Sequence, residues 1–173
     1  PCPSVTGVTL TGLTASSATI RWDSYDTTAA WQTFIDTVAT KPTDVDTAHL
    51  TTASQTFDGL VTGTTHYIWV RAICPLKNDT SDWDGPLQVV PGVWNMRANK
   101  NDTLTMCGVT LYDNGGPDAI FSTQHSKLVI HPDMPGHLVS ISGMCDIGTS
   151  ATFTIYDGVG NRRSEERRVG KEC

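Results

Sequence analysis

The sequence predicts an all-β protein, and three observations carry that prediction. Short apolar–polar alternations of period two recur at roughly ten-residue spacing, which is how half-buried strands read. No window carries the i, i+3, i+4, i+7 apolar spacing of an amphipathic helix. The composition leans the same way, with 26 Thr and only 17% charged residues among 173, because β-branched residues favour strands.

In chain order, the alternations are Val8-Thr9-Leu10, Ala18-Thr19-Ile20-Arg21-Trp22, Trp31 to Ile35, Thr56-Phe57, Tyr67 to Ile73 and Leu87 to Val90. Gly12, Asp26, Pro42, Asp44, Gly59, Gly63 and Lys77-Asn78-Asp79-Thr80 separate them with turn chemistry. After Pro91-Gly92-Val93-Trp94-Asn95, strands are expected at Thr103 to Gly108, Leu111-Tyr112, Lys127 to His131, Gly136 to Ile141 and Phe153 to Asp157. This divides the chain into a first β-domain over 1–92, a linker over 93–102 and a second β-domain over 103–162.

Residues 163–173, Arg163-Ser164-Glu165-Glu166-Arg167-Arg168-Val169-Gly170-Lys171-Glu172-Cys173, are compositionally foreign. All three Glu of the chain fall there, against fifteen Asp in residues 1–162. The peptide resembles the translation of a sequencing-library adapter and is expected to be a non-native tail. Without it the net charge is −7 and the cysteine count is four, an even number. The start at Pro1-Cys2-Pro3, with no Met and no charged-then-apolar leader, is read as the start of an internal fragment. The acidic balance points away from nucleic acid, and no apolar run reaches the ~18 residues of a membrane-inserted helix.

Residues 1–92 resemble a fibronectin type III module of the Cys-bearing kind found in large secreted bacterial proteins. The resemblance rests on Ser17-Ala18-Thr19-Ile20-Arg21-Trp22 as strand B, Asp58-Gly59-Leu60, Gly63-Thr64, and Val70-Arg71-Ala72-Ile73-Cys74 in strand F. It implies an immunoglobulin-like β-sandwich. In one respect the chain departs from the family: the tyrosine-corner position, six residues after Leu60, holds His66, with Tyr67 one place later. The unshifted register sends His66, Ile68, Val70 and Ala72 to the core and Tyr67, Trp69 and Arg71 outward. A bulge would instead move Tyr67 into the corner. Trp22 and Trp31 are expected in the core.

Residues 103–162 resemble part of a CUB-like jelly-roll domain, through Cys107, Tyr112-Asp113-Asn114-Gly115-Gly116, Gly136-His137-Leu138-Val139 and Ile155-Tyr156-Asp157-Gly158. The family's calcium site does not transfer, because the acid expected six residues before Asp157 is Ala151. Asp113 and Asp157 cannot supply the six to eight oxygens calcium takes, so both are read as turn residues. Four cysteines allow three pairings. If strands A, B, C, C′, E and F alternate direction, F is the sixth and its end at Cys74 lies at the pole where Cys2 precedes strand A, and this favours Cys2–Cys74 with Cys107–Cys145. Paired cysteines imply an oxidising, extracellular or cell-surface location.

Signals for chemistry are weak. There is no Gly-x-Ser-x-Gly, no His-Glu-x-x-His and no phosphate-cradling glycine loop. His125, His131 and His137 are spaced by six, but Pro132, Pro135 and Gly136 interrupt the strand that would align them for zinc. Asp79, Asp82 and Asp84 lie in a loop lacking the Gly and terminal acid of an EF-hand. Asn78 and Asn101 head Asn-Asp-Thr sequons. Tyr67, Trp69 and Arg71 are the candidate ligand-binding residues, since outward aromatics suit stacking on a sugar or anchoring a peptide; the competing use of that face is packing against a long C–C′ connection or a neighbouring domain.

The function expected is therefore a non-catalytic adhesion, recognition or spacer element of a larger secreted or cell-surface bacterial protein. It would need no cofactor and no metal. Its partners would be an extracellular protein or glycan and the neighbouring domains of its own polypeptide, with no nucleic acid and no membrane insertion. The alternative is an accessory part of a secreted peptidase or glycan-degrading enzyme whose catalytic domain lies elsewhere.

Overall fold

A computed structural model describes residues 1–23, 30–43, 45, 47–75, 78–119, 125–143 and 152–156. Strands are the regular elements of these residues, and no α-helix occurs among them. The fold is all-β. The chain separates into two compact units, one comprising Pro1–Trp94 with Gly108–Thr110, the other Asn95–Cys107 with the residues from Leu111 onward.

The first unit begins with β1 (Thr6–Thr14), β2 (Ala18–Asp23), β3 (Ala30–Asp36), β4 (Ser54–Phe57) and β5 (His66–Cys74). β6 (Asp79–Thr80) and β7 (Asp84–Val89) follow, and β8 (Val93–Asn95) has Val93 and Trp94 in this unit and Asn95 in the second. β1, β2 and β4 lie side by side in that order, and β2 pairs antiparallel to both neighbours. In the second sheet β3 and β7 flank β5 on opposite edges, and β6 continues the β7 edge. Period-two alternation decides which side chains go inside. In β2, Ala18, Ile20 and Trp22 are buried while Arg21 and Asp23 are exposed. In β5, His66, Ile68, Val70, Ala72 and Cys74 are all buried. With Val5, Leu13, Trp31 and Val89 they form the core, each fully buried aliphatic side chain contributing about 1.5–3 kcal/mol. The Trp22 and Trp31 rings meet edge to face, 6.1 Å apart.

The His66 imidazole is buried and its Nδ1 bonds the Thr64 carbonyl at 2.9 Å. A histidine six residues after Leu60 thus makes a local backbone tie.

Among the described residues the expected C′ strand does not form, so β5 is the fifth strand there and not the sixth. After β3 the chain is next tied to it by the reciprocal backbone bonds between Trp31 and Leu50. The Trp22 amide then bonds the Ala53 carbonyl as the chain crosses to the first sheet. That return supplies the reversal that a full strand would have supplied. Cys2 and Cys74 accordingly meet in a disulfide, with Cα atoms 5.7 Å apart. Asp26, Asp44 and Lys77, read as turn residues, lie outside the described residues, as do Cys145 of the second expected disulfide, Ala151, Asp157 and the tail 163–173.

β7 runs unusually close to β5. A Cβ at Gly85 would stand 2.7 Å from the Ile68 carbonyl oxygen, and Gly85 has φ +132°, where L side chains are strained. Gly85→Ala is expected to lower stability by about 2 kcal/mol; a urea midpoint equal to wild type would show that β7 moves aside without cost.

In the second unit, β9 (Asn101–Cys107) and β11 (Lys127–His131) pair in parallel, Asn101 opposite Lys127 and Thr105 opposite His131. β10 (Thr110–Tyr112) lies between them in sequence. Asp102, Leu104 and Met106 are buried on β9. The buried Asp102 carboxylate takes a fork from Arg97: Nε donates to Oδ2 at 3.1 Å and Nη2 donates to Oδ1. That hydrogen bond holds the Arg97 guanidinium above its usual value, against the opposing effect of burial, and so keeps a buried carboxylate matched by a cation. Asp113 caps its own turn, accepting from the Gly115 amide at 2.7 Å.

The strand expected over Gly136–Ile141 is a correction: residues 137–142 join no ladder. Of the strand expected over Phe153–Asp157, Tyr156 makes a single bridge and Asp157 lies outside the described residues. Leu138, Val139, Ile141, Phe153, Ile155 and Tyr156 are exposed. Alternation marks a segment able to become a strand, but a strand exists only when a neighbour takes its backbone donors and acceptors.

Candidate functional site

The outer face of the second sheet carries Tyr67, Trp69 and Arg71, as the alternation requires, and antiparallel register sets their neighbours. Gln32 lies opposite Arg71, Phe34 opposite Trp69 and Asp36 opposite Tyr67 on β3. On β7, Gln88 lies opposite Tyr67. A face two residues wide in sequence is thus assembled from three strands.

Most of this face is occupied by the protein itself. Arg71 Nε donates to Gln32 Oε1 at 2.8 Å, and Nη2 donates to the Val45 carbonyl at 3.1 Å. Gln32 Nε2 donates in turn to the Thr47 carbonyl at 2.9 Å. The guanidinium lies 4.5 Å from the centroid of the Trp83 ring, whose edge meets Phe34 at 6.5 Å. The 37–49 connection is therefore pinned to the sheet by one arginine and one glutamine, and the cation–π contact fixes Trp83 above them. Arg71 here ties a loop down. Replacing it with Leu is expected to remove two charge-assisted hydrogen bonds and the ring contact, lowering stability by about 2 kcal/mol. Trp83 emission should move to longer wavelength, and an unchanged emission maximum would show that the loop stays in place without Arg71.

Trp69 is a second correction. It points to the outer face but is only 6% exposed, so its ring offers no surface for stacking. Phe34 stands opposite it, and a Cβ on Gly85 would lie 3.1 Å from Trp69 Cε3, so the β7 backbone lies against the indole. Glycine at 85 is the sequence feature that permits this cover, and nothing in the local alternation signals it. Tyr67 is half-buried and sits between the exposed Asp36 and Gln88. That short row is what remains open of the predicted face. The sequence reading missed Asp36, Gln88 and Gln32, because they enter only through cross-strand register.

The acids of the 78–84 loop have separate uses. Asp79 accepts from the Cys2 amide at 2.9 Å and from the Thr80 amide at 2.9 Å, with the Pro1 ammonium 4.0 Å away. Asp82 meets Lys41 at 3.7 Å on the surface, a pair of small energetic value. Ser81 bridges the gap between β6 and β7: its hydroxyl accepts from the Ala72 amide and its amide donates to the Ala72 carbonyl, both at 2.9 Å. Among the described residues no three His, Cys, Asp or Glu side chains stand close enough to hold a metal ion. His137 lies 3.7 Å from Asp133, four residues earlier. No helix among the described residues is long and apolar enough to cross a membrane.

No family model matches the chain, and no curated protein does. A solved structure described as "Myokine structure" aligns with 53% of this chain and 98% of its own length, at 19% identity and a TM-score of 0.43.

Proposed function

We propose that residues 1–92 form a fibronectin type III-like module and residues 103–162 part of a CUB-like domain. Together they would serve as a non-catalytic extracellular spacer and recognition element of a larger secreted or cell-surface bacterial protein. The observation that carries the reading is the Cys2–Cys74 disulfide, whose two residues are buried in a two-sheet unit; stable cross-links of this kind belong to oxidising compartments. The division into a β1-β2-β4 sheet and a β3-β5-β7 sheet also supports it, since aligned sheet pairs are the frame of immunoglobulin-like sandwiches. The exposed apolar side chains of Leu138, Val139, Ile141, Phe153, Ile155 and Tyr156 support a second domain read as incomplete.

On this reading, recognition falls to Tyr67 with Asp36 and Gln88, an amphipathic ring between two polar side chains. The oxidised full chain is expected to be retained by at least one glycan or extracellular-matrix protein on an array. Tyr67→Ala should abolish that retention while leaving the melting midpoint within a few degrees. Retention that survives the substitution would remove Tyr67 from the recognition role, and no retention by wild type would leave the spacer role alone. Two free thiols at Cys2 and Cys74, seen by alkylation and intact mass without reductant, would overturn the extracellular assignment.

A further inference from the structure

The row left open on the outer face is small and chemically mixed. The Phe34 ring is engaged with Trp83, and Trp69 is 6% exposed, so the half-buried Tyr67 is the ring that stands between two exposed polar side chains. Cross-strand register sets Asp36 on one side of it and Gln88 on the other, which makes the row two strand spacings wide, about 10 Å. A stable protein interface buries about 800 Å² on each partner, from roughly 20–30 residues, around a cluster of large anchors. Three residues with one ring supply far less, but they match the span of one or two sugar rings. The polar atoms of the row are also uncommitted. Asp36 Oδ1 accepts from the Thr37 amide at 2.6 Å, which orients the carboxylate and leaves Oδ2 as an acceptor. Among the described residues neither the Tyr67 hydroxyl nor the Gln88 side-chain amide has a hydrogen-bond partner. A carboxylate oxygen accepts, whereas a phenol and a primary amide each donate and accept. Sugar hydroxyls, which also donate and accept, can serve all three, and the electron-rich face of the ring suits the sugar's C–H groups.

Charge narrows the class. Asp36 is the charged member of the row, and Arg71, the arginine of β5, has Nε and Nη2 committed to Gln32 and Val45. A sulfate, uronate or sialate would therefore meet a carboxylate with no cation in the row to offset it, on a chain whose net charge is −6. We infer, resting on the recognition reading of this face, that Asp36, Tyr67 and Gln88 form a subsite for one or two units of a neutral glycan, and that Asp36 turns acidic sugars away.

The experiment is an array carrying neutral glucose, mannose, galactose and N-acetylglucosamine oligosaccharides, the same oligosaccharides sulfated, and extracellular-matrix proteins, probed with the oxidised full chain. At least one neutral glycan should be retained, and its sulfated counterpart about tenfold less. Raising the salt from about 0.1 M to about 1 M, which shortens the screening length from roughly 10 Å to roughly 3 Å, should leave the neutral signal unchanged. Gln88→Ala should lower that signal about tenfold through lost hydrogen bonds. Asp36→Asn keeps the shape and removes the charge, so it should narrow the gap between neutral and sulfated forms several-fold. Both positions are exposed, and an unchanged melting midpoint for each variant separates lost binding from lost folding. Equal retention of neutral and sulfated forms by wild type, or a neutral signal that Gln88→Ala leaves intact, would overturn the subsite. Tyr67-dependent retention confined to matrix proteins would overturn it too and leave the recognition reading standing, whereas no retention of any probe would overturn both.

Discussion

Serine at Cys2 and Cys74 should cost the first unit about 4 kcal/mol, the chain-entropy value for a closed loop of this length. The effect is measured as the difference in urea midpoint, multiplied by the slope, between the oxidised chain and the double variant. Two features make the full value the expected one. The disulfide joins the segment ahead of β1 to the end of β5, and both residues are buried within the folded unit, so the native unit has no need to distort around it. The Asp79 carboxylate, which accepts from the Cys2 amide, would lose an ordered partner at the same time. A difference below ~1 kcal/mol would show that the unfolded chain retains the contact without the bond. A loss of this size is a large part of the 5–15 kcal/mol by which domains are stable.

Trp22→Ala is expected to reach a similar magnitude by another route, about 3–5 kcal/mol from the lost burial and the cavity left behind. Trp22 is 2% exposed and its ring meets Trp31 edge to face, with Trp31 5% exposed. β2 is the middle strand of its sheet, paired on both sides, so it cannot shift to close the cavity without breaking two ladders. Trp22→Phe keeps an aromatic ring against Trp31 and should recover more than half of the loss. Equal losses for Ala and Phe would mean that the indole acts through something other than packed volume.

The all-β class was legible because β1 to β5 and β7 each carry an alternation in sequence, whereas β6 and β8 were read as turn and linker. In β2 the buried and exposed residues follow the alternation written in Ala18–Asp23, and in β5 the buried His66, Ile68, Val70, Ala72 and Cys74 do so with Trp69 the exception. The meeting of Cys2 with Cys74 was anticipated, but through a strand count of six that is not observed; the Leu50 return supplies the reversal instead. The outer face was only half legible. Alternation placed Tyr67, Trp69 and Arg71 on it, but the covering of Trp69 depends on Gly85, and the engagement of Arg71 depends on the carbonyl of Val45. In the second unit β9 and β11 formed where the alternation put them, whereas Gly136–Ile141 did not.

What the sequence by itself determined is which side of a strand each residue faces, because that is fixed by local backbone geometry every two residues. What only the tertiary structure decided is whether a face is open, covered or unpaired. That depends on segments far away in the chain: on β7 laying its glycine against Trp69, on the 37–49 connection folding back over Arg71, and on whether a neighbouring strand exists to complete a ladder. A side chain's direction is set by its own backbone, but its burial and its use are set by whatever arrives opposite it.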